Sequence, residues 1–265
     1  MRFTLFQLAD AMQGRVIGHA PAGAVVEHLI TDSRHVAFAS TGLFFALRGP
    51  GRDGHAFIAE AYRQGVRYFV VCRLPNVETL PEACFIQVAD TLEALQMLAA
   101  WRRSLVDIPV VGITGSNGKT IVKEWLFQLL HPDQHVLRSP RSYNSQTGVP
   151  LSVWQLHPEH ELALLEAGIS RMGEMARLAP IIRPTLGVFT ALGDAHSEGF
   201  PDAETKLREK LLLFGSAQLV FYGADDARVN AAMRALGKPL FCWGTAPEAD
   251  LQLLSADISD DQRST

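Results

Sequence analysis

Short runs of apolar, β-forming residues alternate with helical spacing in the first part of the chain. The apolar runs are HLITDSR (28–34), LFFALRG (43–49), YFVVCR (68–73) and FIQV (85–88). Their β-branched and aromatic residues are typical of strands. Apolar residues at 55–64 and 90–105 have helical spacing, with Asp90 as the N-cap of the second helix and Thr4 capping a helix at the start. This pattern predicts a small α/β unit.

After a joint at Asp107-Ile108-Pro109 the alternation becomes regular. Apolar strand-like runs lie at 108–114, 161–168, 184–192, 218–225 and 239–244. The predicted helices lie at 119–130, 173–182, 202–214 and 226–236. Apolar strands separated by helices predict a parallel sheet covered on both faces, whose ligands bind at the carboxyl ends of the strands. We therefore expect an α/β fold with domains at 1–107 and 108–265.

Composition narrows the class of protein. The chain has 265 residues, of which 48% are hydrophobic and 20% charged, a composition typical of a globular protein with a sizeable core. A net charge of −4 argues against a nucleic-acid partner. The start of the chain lacks a signal-peptide pattern, and no run approaches the ~20 apolar residues of a membrane span. We predict a cytoplasmic protein without a membrane partner, with Cys72, Cys84 and Cys242 as free thiols.

The most specific motif is GITGSNGKT at 112–120, between a predicted buried strand and a predicted helix. Glycines let the backbone turn so that N–H groups face a phosphate, and the helix N-terminus adds partial positive charge. Lys119 can neutralise β- and γ-phosphate oxygens, and Thr120 can offer its hydroxyl to Mg²⁺. The predicted nucleotide-binding residues are Gly115, Ser116, Asn117, Gly118, Lys119 and Thr120. The motif predicts binding of a nucleoside triphosphate.

The spacing of this loop is unusual, because the common G-x-x-x-x-G-K-[ST] pattern would need glycine where the chain has Ile113. The sequence also lacks the Asp-x-x-Gly and Asn-Lys-x-Asp motifs of a GTPase switch. The stretch ITGSNGKT closely resembles the ATP loop of the Mur ligases, which add amino acids to peptidoglycan precursors. The resemblance implies ATP and Mg²⁺ as cofactors, a UDP-sugar domain, a central ATPase domain and a C-terminal domain. It also implies a reaction in which a substrate carboxylate attacks the γ-phosphate, and an amine then displaces phosphate from the acyl phosphate.

Other stretches match the family in the same order. They are SPRSYNSQTGVPLSV (139–153), LLEAGIS (164–170), ALGDAHSEGF (191–200) and REKLLLF (208–214). The resemblance implies that Asn144 lies near the reacting groups and that Glu166 and His196 hold Mg²⁺ together with Thr120. It also implies that Lys210 is a carbamylated lysine, an anion able to bridge or orient metal. The expected catalytic residues are Lys119, Glu166, His196 and Lys210.

The first domain resembles the UDP-muramoyl-peptide domain of the ligases that add the third residue or the terminal dipeptide. The matching stretches are ITDSR (30–34) and LFFALRGPGRDGHAFI (43–58). The resemblance implies that Ser33 and Arg34 contact the substrate, and a hydroxyl with a guanidinium suits uracil or pyrophosphate oxygens. The Asp53-Gly-His55 turn either contacts ligand or opens a helix.

Two sequence stretches, KTIVKEW and SPRSYNSQTGVPLS, are most similar to the branch of the family that joins D-alanyl-D-alanine to UDP-N-acetylmuramoyl-tripeptide. Within that branch they resemble the form fused to an alanine racemase in some bacteria. The branch that adds diaminopimelate or lysine is the alternative. The chain is short for the family, so we expect an incomplete central domain and a missing C-terminal domain. A nucleotide-binding fragment without activity, a UDP-sugar-binding scaffold and a nucleotide-binding regulatory module are further alternatives.

Overall fold

The computed structural model describes residues 1–21, 23–49, 51–193 and 199–255, and the chain divides into two compact units. The first comprises Met1–Val106 with Val153–His157, and the second comprises Asp107–Ser152 with Pro158–Thr265. The pattern of apolar residues along the sequence does not predict that residues 153–157 group with the first unit. Within the described ranges, none of the helices combines the length and the apolar character that a bilayer crossing requires.

The first unit is built on a mixed five-stranded sheet in the order β2-β9-β8-β5-β4. Its strands are β1 (Phe3–Thr4), β2 (Arg15–Ile17), β3 (Val25–Val26), β4 (His28–Ile30), β5 (Gly42–Phe45), β6 (Arg48–Gly49), β7 (Arg52–Asp53), β8 (Tyr68–Val71) and β9 (Cys84–Gln87). Its helices are α1 (Leu5–Ala11), α2 (Ile58–Arg63) and α3 (Thr91–Ser104). Both predicted N-caps are confirmed: Thr4 forms a capping box with Gln7, and Asp90 accepts hydrogen bonds from the first turn of α3.

Both faces of this sheet are buried. Successive side chains of a strand point to opposite faces, so each strand contributes residues to two separate cores. Phe44, Phe69 and Phe85 lie in one core, with ring centroids 6.1 Å apart for the first pair and 5.5 Å for the second. Their neighbours Phe45 and Val70 lie in the other core, against α1 and α3. The apolar runs of the sequence therefore continue through the strands instead of alternating with polar residues.

The second unit is a parallel sheet of seven strands in the order β11-β12-β10-β13-β14-β15-β16. Its strands are β10 (Val110–Thr114), β11 (Val136–Arg138), β12 (Leu162–Glu166), β13 (Leu186–Phe189), β14 (Leu219–Gly223), β15 (Leu240–Gly244) and β16 (Leu251–Gln252). Its helices are α4 (Lys119–Leu130), α5 (Gly148–Trp154, of which the last two residues group with the first unit), α6 (Glu174–Ile182), α7 (Ala203–Leu211) and α8 (Ala227–Arg234). The parallel α/β fold predicted from the alternating pattern is confirmed.

The strand order brings three strand ends together. β10 lies between β12 and β13, with Ile113 paired to Glu166 and Thr114 paired to Phe189. Because all three strands run in the same direction, their carboxyl ends meet at one edge of the sheet. The chain leaves β10 toward β11 on one side and later adds β13 on the other, which is the switch in strand order where ligands of such sheets bind.

Candidate nucleotide site

The loop after β10 requires glycine at its first position. Gly115 has φ +148°, and a Cβ atom there would lie only 2.1 Å from the Thr190 hydroxyl oxygen. The amide of the next residue, Ser116, donates a 2.7 Å hydrogen bond to the carbonyl of Ala191. The loop is therefore pressed against the chain that leaves β13, and a side chain at its first position would force the two apart.

The loop ends at the N-terminus of α4. Gly118, with φ +81°, occupies the N-cap position and makes no side-chain capping hydrogen bond. The first N–H groups of a helix have no partner within the helix, and the helix dipole places partial positive charge there. This twelve-residue helix therefore begins with amides arranged to receive an anion such as a phosphate.

The side chain of Lys119 folds back over the loop. Its ammonium donates hydrogen bonds to the carbonyls of Gly115 and Ser116, both at 3.0 Å. Burial lowers the pKa of Lys119, while the Glu166 carboxylate raises it and the Lys206 ammonium lowers it further. The cation is thus held within the loop, where a bound phosphate would need it.

Glu166 ends β12 and is fully buried. The Thr120 hydroxyl donates to its Oε2 atom at 3.1 Å, and the Asn144 amide donates to the same oxygen at 3.3 Å. The ammonium of Lys123 lies 3.0 Å from the other oxygen, Oε1. The structure therefore brings the predicted residues Thr120, Asn144 and Glu166 together around one carboxylate.

The oxygen atoms of this cluster fit a magnesium ion. Among the residues that the structure describes, Glu166 Oε1 and Ser116 Oγ are buried without a hydrogen-bond partner, although the Lys123 ammonium lies 3.0 Å from Oε1 as an ion-pair partner. Mg²⁺ prefers oxygen ligands and is usually bound by one or two carboxylates together with phosphates and water. In the part of the chain that the structure describes, no three His, Cys, Asp or Glu residues cluster as metal ligands. His196 lies outside the described residues, so its place in the metal site stays a prediction.

Helix α7 contributes two buried lysines, one helical turn apart, to the same place. The Lys210 ammonium donates to the Gly115 carbonyl at 3.1 Å, the acceptor that Lys119 also uses. The Lys206 ammonium donates to the Gly193 carbonyl at 2.5 Å, next to the phosphate loop. The sequence analysis named Lys210 as a site residue and did not name Lys206. The i, i+4 spacing of the two lysines, which places them on the same face of α7, is the sequence signal that suggests both.

The cluster of cations changes the ionisation of Lys210. Burial, followed by the nearby ammoniums of Lys119 and Lys206, lowers the pKa of Lys210 to about 7. A substantial fraction of this side chain is therefore a neutral amine at neutral pH. The uncharged form is the nucleophilic one, and it relieves the repulsion among the three side chains.

This pKa predicts a pH dependence of stability. The unfolded chain has the ordinary lysine pKa of 10.5, so it binds more protons than the folded chain between pH 7 and 10.5, and stability rises with pH across that window. We expect the free energy of unfolding of the wild type, relative to a Lys210→Met variant, to rise by about 2 kcal/mol from pH 7 to 9. Urea titrations in bicarbonate-free buffer measure it. A constant difference between the two proteins contradicts the low pKa.

A cavity of about 310 Å³ opens beside these groups. It is lined by Lys119, Asn144, Ser145, Gln146, Thr147, Gly168, Ile169, Ser170, Glu174 and Lys210. A larger groove of about 710 Å³ lies between α7 and α8, with an apolar lining that includes Leu207 and Leu236. We assign the chemistry to the smaller cavity, because it joins the phosphate loop to the end of β12.

The predicted substrate contacts lie in the first unit, in the turn after β4. Ser33 is buried, and its carbonyl accepts a hydrogen bond from the Gln64 side chain at 2.7 Å. The exposed Arg34 guanidinium pairs with both oxygens of Asp32, at 2.9 Å and 2.6 Å. These hydrogen bonds hold the pKa of Asp32 well below its ordinary value. Arg34 is thus held in one orientation by a neighbour, and its role toward substrate stays a prediction.

The Asp53–His55 turn has the contacts of a capped turn. Asp53 Oδ1 accepts hydrogen bonds from the His55 amide at 3.0 Å and from its ring at 2.7 Å. The second ring nitrogen accepts the Cys72 amide at 3.1 Å, after the end of β8. These contacts support the interpretation of this turn as one that opens a helix. Cys72, like Cys84 and Cys242, is a free thiol, as predicted.

Residues 113–264 match the Mur ligase middle domain family. The chain belongs to the Mur ligase family. As a Mur ligase chain, it is 40% identical over 173 residues to the UDP-N-acetylmuramoyl-tripeptide–D-alanyl-D-alanine ligase of Synechocystis, a match that covers 64% of this chain and 37% of the relative.

Solved structures of Mur ligases share the fold. The MurF structure from Acinetobacter baumannii superposes with a TM-score of 0.87 at 27% identity, covering 97% of this chain and 56% of that one. The MurF ligase of Thermotoga maritima, solved in complex with ADP, gives a TM-score of 0.73 at 27% identity, covering 83% of this chain and 51% of that one. The chain therefore spans about half the length of the Mur ligase structures that it matches.

Proposed function

We propose that this chain supplies the ATP-binding and UDP-sugar-binding parts of a ligase that joins D-alanyl-D-alanine to UDP-N-acetylmuramoyl-tripeptide, releasing ADP and phosphate. One observation carries the proposal: the glycine loop at the end of β10 lies against a fully buried carboxylate, Glu166, which Thr120 and Asn144 contact. The names of similar proteins, UDP-N-acetylmuramoyl-tripeptide–D-alanyl-D-alanine ligases, support the choice of substrates. These substrates imply a reaction in the cytoplasm.

Different residues of the second unit have different roles in phosphoryl transfer. The amides of 115–120 and the Lys119 ammonium bind the β- and γ-phosphates of ATP and neutralise charge as the γ-phosphoryl group leaves. The substrate carboxylate attacks that group and becomes an acyl phosphate, from which the amine of D-alanyl-D-alanine displaces phosphate. Thr120 and Glu166 would hold Mg²⁺, which when bound would polarise the phosphoryl oxygens. Asn144 faces the cavity beside them and positions the reacting groups.

The neutral amine of Lys210 supports its carbamylation. An uncharged lysine attacks carbon dioxide to form the N–C bond of a carbamate and releases one proton. The anionic product would face the ammoniums of Lys119 and Lys206, whose charges lower the pKa of the free amine. We predict a carbamate carbonyl resonance when the protein is supplied with ¹³C-bicarbonate and its disappearance in Lys210→Met. A wild-type spectrum without that resonance contradicts the modification.

The first unit takes the UDP-muramoyl peptide in this proposal. Ser33 and Arg34 contact the uracil or pyrophosphate, within a substrate domain at 1–107, and the central ATPase domain begins at 108. The fusion to an alanine racemase stays a prediction. The diaminopimelate- or lysine-adding reaction is the alternative, because it uses the same phosphoryl chemistry on a UDP-muramoyl-dipeptide.

A phosphate-release assay separates these possibilities. The full-length protein is supplied with ATP, Mg²⁺, UDP-N-acetylmuramoyl-tripeptide and D-alanyl-D-alanine. A parallel reaction contains the dipeptide substrate with diaminopimelate or lysine. The proposal expects phosphate release in the first mixture only. Release in the second mixture alone moves the protein to the third-residue branch. Calorimetric binding of ATP and UDP-sugar without release in either mixture identifies a binding fragment, and ATP binding without UDP-sugar binding identifies a regulatory module.

A further inference from the structure

Lys123 is a fully buried lysine for which the phosphate-loop motif gives no role. It lies on α4, one helical turn after Lys119, and points away from the loop toward the end of β12. Its ammonium donates to the carbonyls of Ser139 at 2.7 Å and Arg141 at 2.5 Å. It also lies 3.0 Å from Glu166 Oε1. A single side chain therefore joins the phosphate-loop helix, the carboxylate of the site and the segment that follows β11.

A charge in this position is costly unless it is compensated. Lys123 and Glu166 are both fully buried, and removing two charges from water costs several kcal/mol per ion unless each finds close partners. The lysine has three N–H donors, of which two bond the carbonyls. Two carboxylates compensate its charge, Glu166 at 3.0 Å and Glu124 at 3.1 Å. The arrangement is therefore a fixed polar network, and it fixes where the carboxylate of Glu166 lies.

The segment that Lys123 holds also carries Asn144. Arg141 has φ +48°, a left-handed conformation that costs energy for a residue with a side chain, and its carbonyl is one of the lysine's acceptors. Three residues later the Asn144 amide donates to Glu166 Oε2, and the Asn144 carbonyl accepts the Gly168 amide at 2.8 Å. The Lys123 ammonium thus contacts both the Glu166 carboxylate and the segment that carries Asn144, the residue whose amide bonds that carboxylate.

We propose that Lys123 is a positioning residue for magnesium and nucleotide: it holds Glu166 and the 139–144 segment so that Glu166 and the Thr120 hydroxyl face a bound Mg²⁺–nucleotide complex. This inference rests on the proposed function, because it takes the Glu166 cluster as the metal site. Lys123 touches neither the nucleotide nor the metal in this arrangement. Its effect is exerted through the orientation of the carboxylate.

The test is the binding of ADP to the intact chain with and without Mg²⁺, measured by calorimetry. The variants are Lys123→Met and Lys123→Gln. The matched control is Lys238→Met, because Lys238 also donates to two backbone carbonyls, those of Gly215 and Ala217. We expect both Lys123 variants to raise the Mg²⁺ concentration needed for half-maximal ADP binding by about 10- to 100-fold, the usual effect of losing a group that orients a metal ligand. Binding of ADP without Mg²⁺ should change by no more than about threefold, and the control should match the wild type.

The outcomes separate the claims. A folded Lys123→Met protein with an unchanged Mg²⁺ midpoint overturns the positioning role and leaves the proposed function standing. Equal losses of ADP affinity with and without Mg²⁺ also overturn it, since they indicate a general disturbance of the loop. If Lys123→Met does not fold, Lys123→Gln decides, because it keeps an N–H donor for the carbonyls while removing the charge. A wild-type chain that binds ADP without any Mg²⁺ dependence counts against the proposed metal site itself.

Discussion

Replacing Lys119 with alanine should lower ATP turnover by about 10²- to 10³-fold, the usual cost of removing one preorganised group that stabilises charge in the transition state. The Lys119 ammonium already lies over the loop, 3.0 Å from the carbonyls of Gly115 and Ser116. It therefore needs little reorganisation to meet phosphate oxygens. The measurement is kcat for phosphate release by the full-length ligase with saturating ATP, UDP-N-acetylmuramoyl-tripeptide and D-alanyl-D-alanine.

The matched control for this variant is Lys238→Ala, which removes a lysine of the second unit that ties two backbone carbonyls after α7. Its turnover should remain near that of the wild type. If Lys119→Ala retains a near-normal kcat, the assignment of the loop as the site of phosphoryl transfer is wrong.

Replacing Glu166 with alanine should lower the free energy of unfolding by about 3 kcal/mol, the low end of the usual cost of breaking a buried ion pair, because Lys123 keeps a second carboxylate, Glu124 Oε1, at 3.1 Å. The Lys123 and Glu166 side chains lie 3.0 Å apart, and both are fully buried. The same variant should lose the Mg²⁺ dependence of nucleotide binding, since it removes the predicted carboxylate ligand. Urea unfolding measures the first effect, and ADP titration at several Mg²⁺ concentrations measures the second.

The double variant Lys123→Met/Glu166→Leu separates stability from metal binding. Replacing both members of a buried ion pair with apolar residues of similar size is often neutral or stabilising. We therefore expect the double variant to recover most of the stability lost by Glu166→Ala and none of the Mg²⁺ dependence. If the Mg²⁺ dependence of ADP binding is unchanged in Glu166→Ala, Glu166 is not a metal ligand.

The fold was largely predictable because its signals are local. The helix predicted at 119–130 is α4, Lys119–Leu130, as the periodic apolar residues and the preceding glycine indicated. Strand ends were less predictable: HLITDSR ends its strand at Ile30, where Asp32 begins a side-chain-stabilised turn with Arg34. Helix α5 was missed because it begins with glycine and contains Pro150 in its first turn, a place where proline is tolerated although its propensity argues against a helix.

The polar network of the site was only partly predictable. The loop motif and its position between a strand and a helix pointed to Lys119 and Thr120. Apart from the adjacent Glu124, by contrast, the partners of Lys123 lie between Ser139 and Glu166, far along the chain, and no spacing rule connects them to it. Lys206 was not predicted because the resemblance supplied a role for Lys210 alone, yet both are buried on the same face of α7. Burial of a lysine is a tertiary property, and helical spacing only suggests it.

A structure of this chain with Mg²⁺ and a non-hydrolysable ATP analogue tests the central claim most directly. The account predicts the β- and γ-phosphates within hydrogen-bonding distance of the amides of 115–120 and of the Lys119 ammonium, with Mg²⁺ bound by the Thr120 hydroxyl and the Glu166 carboxylate. Phosphates bound elsewhere, for example in the groove between α7 and α8, or a metal ion remote from Glu166, would contradict it.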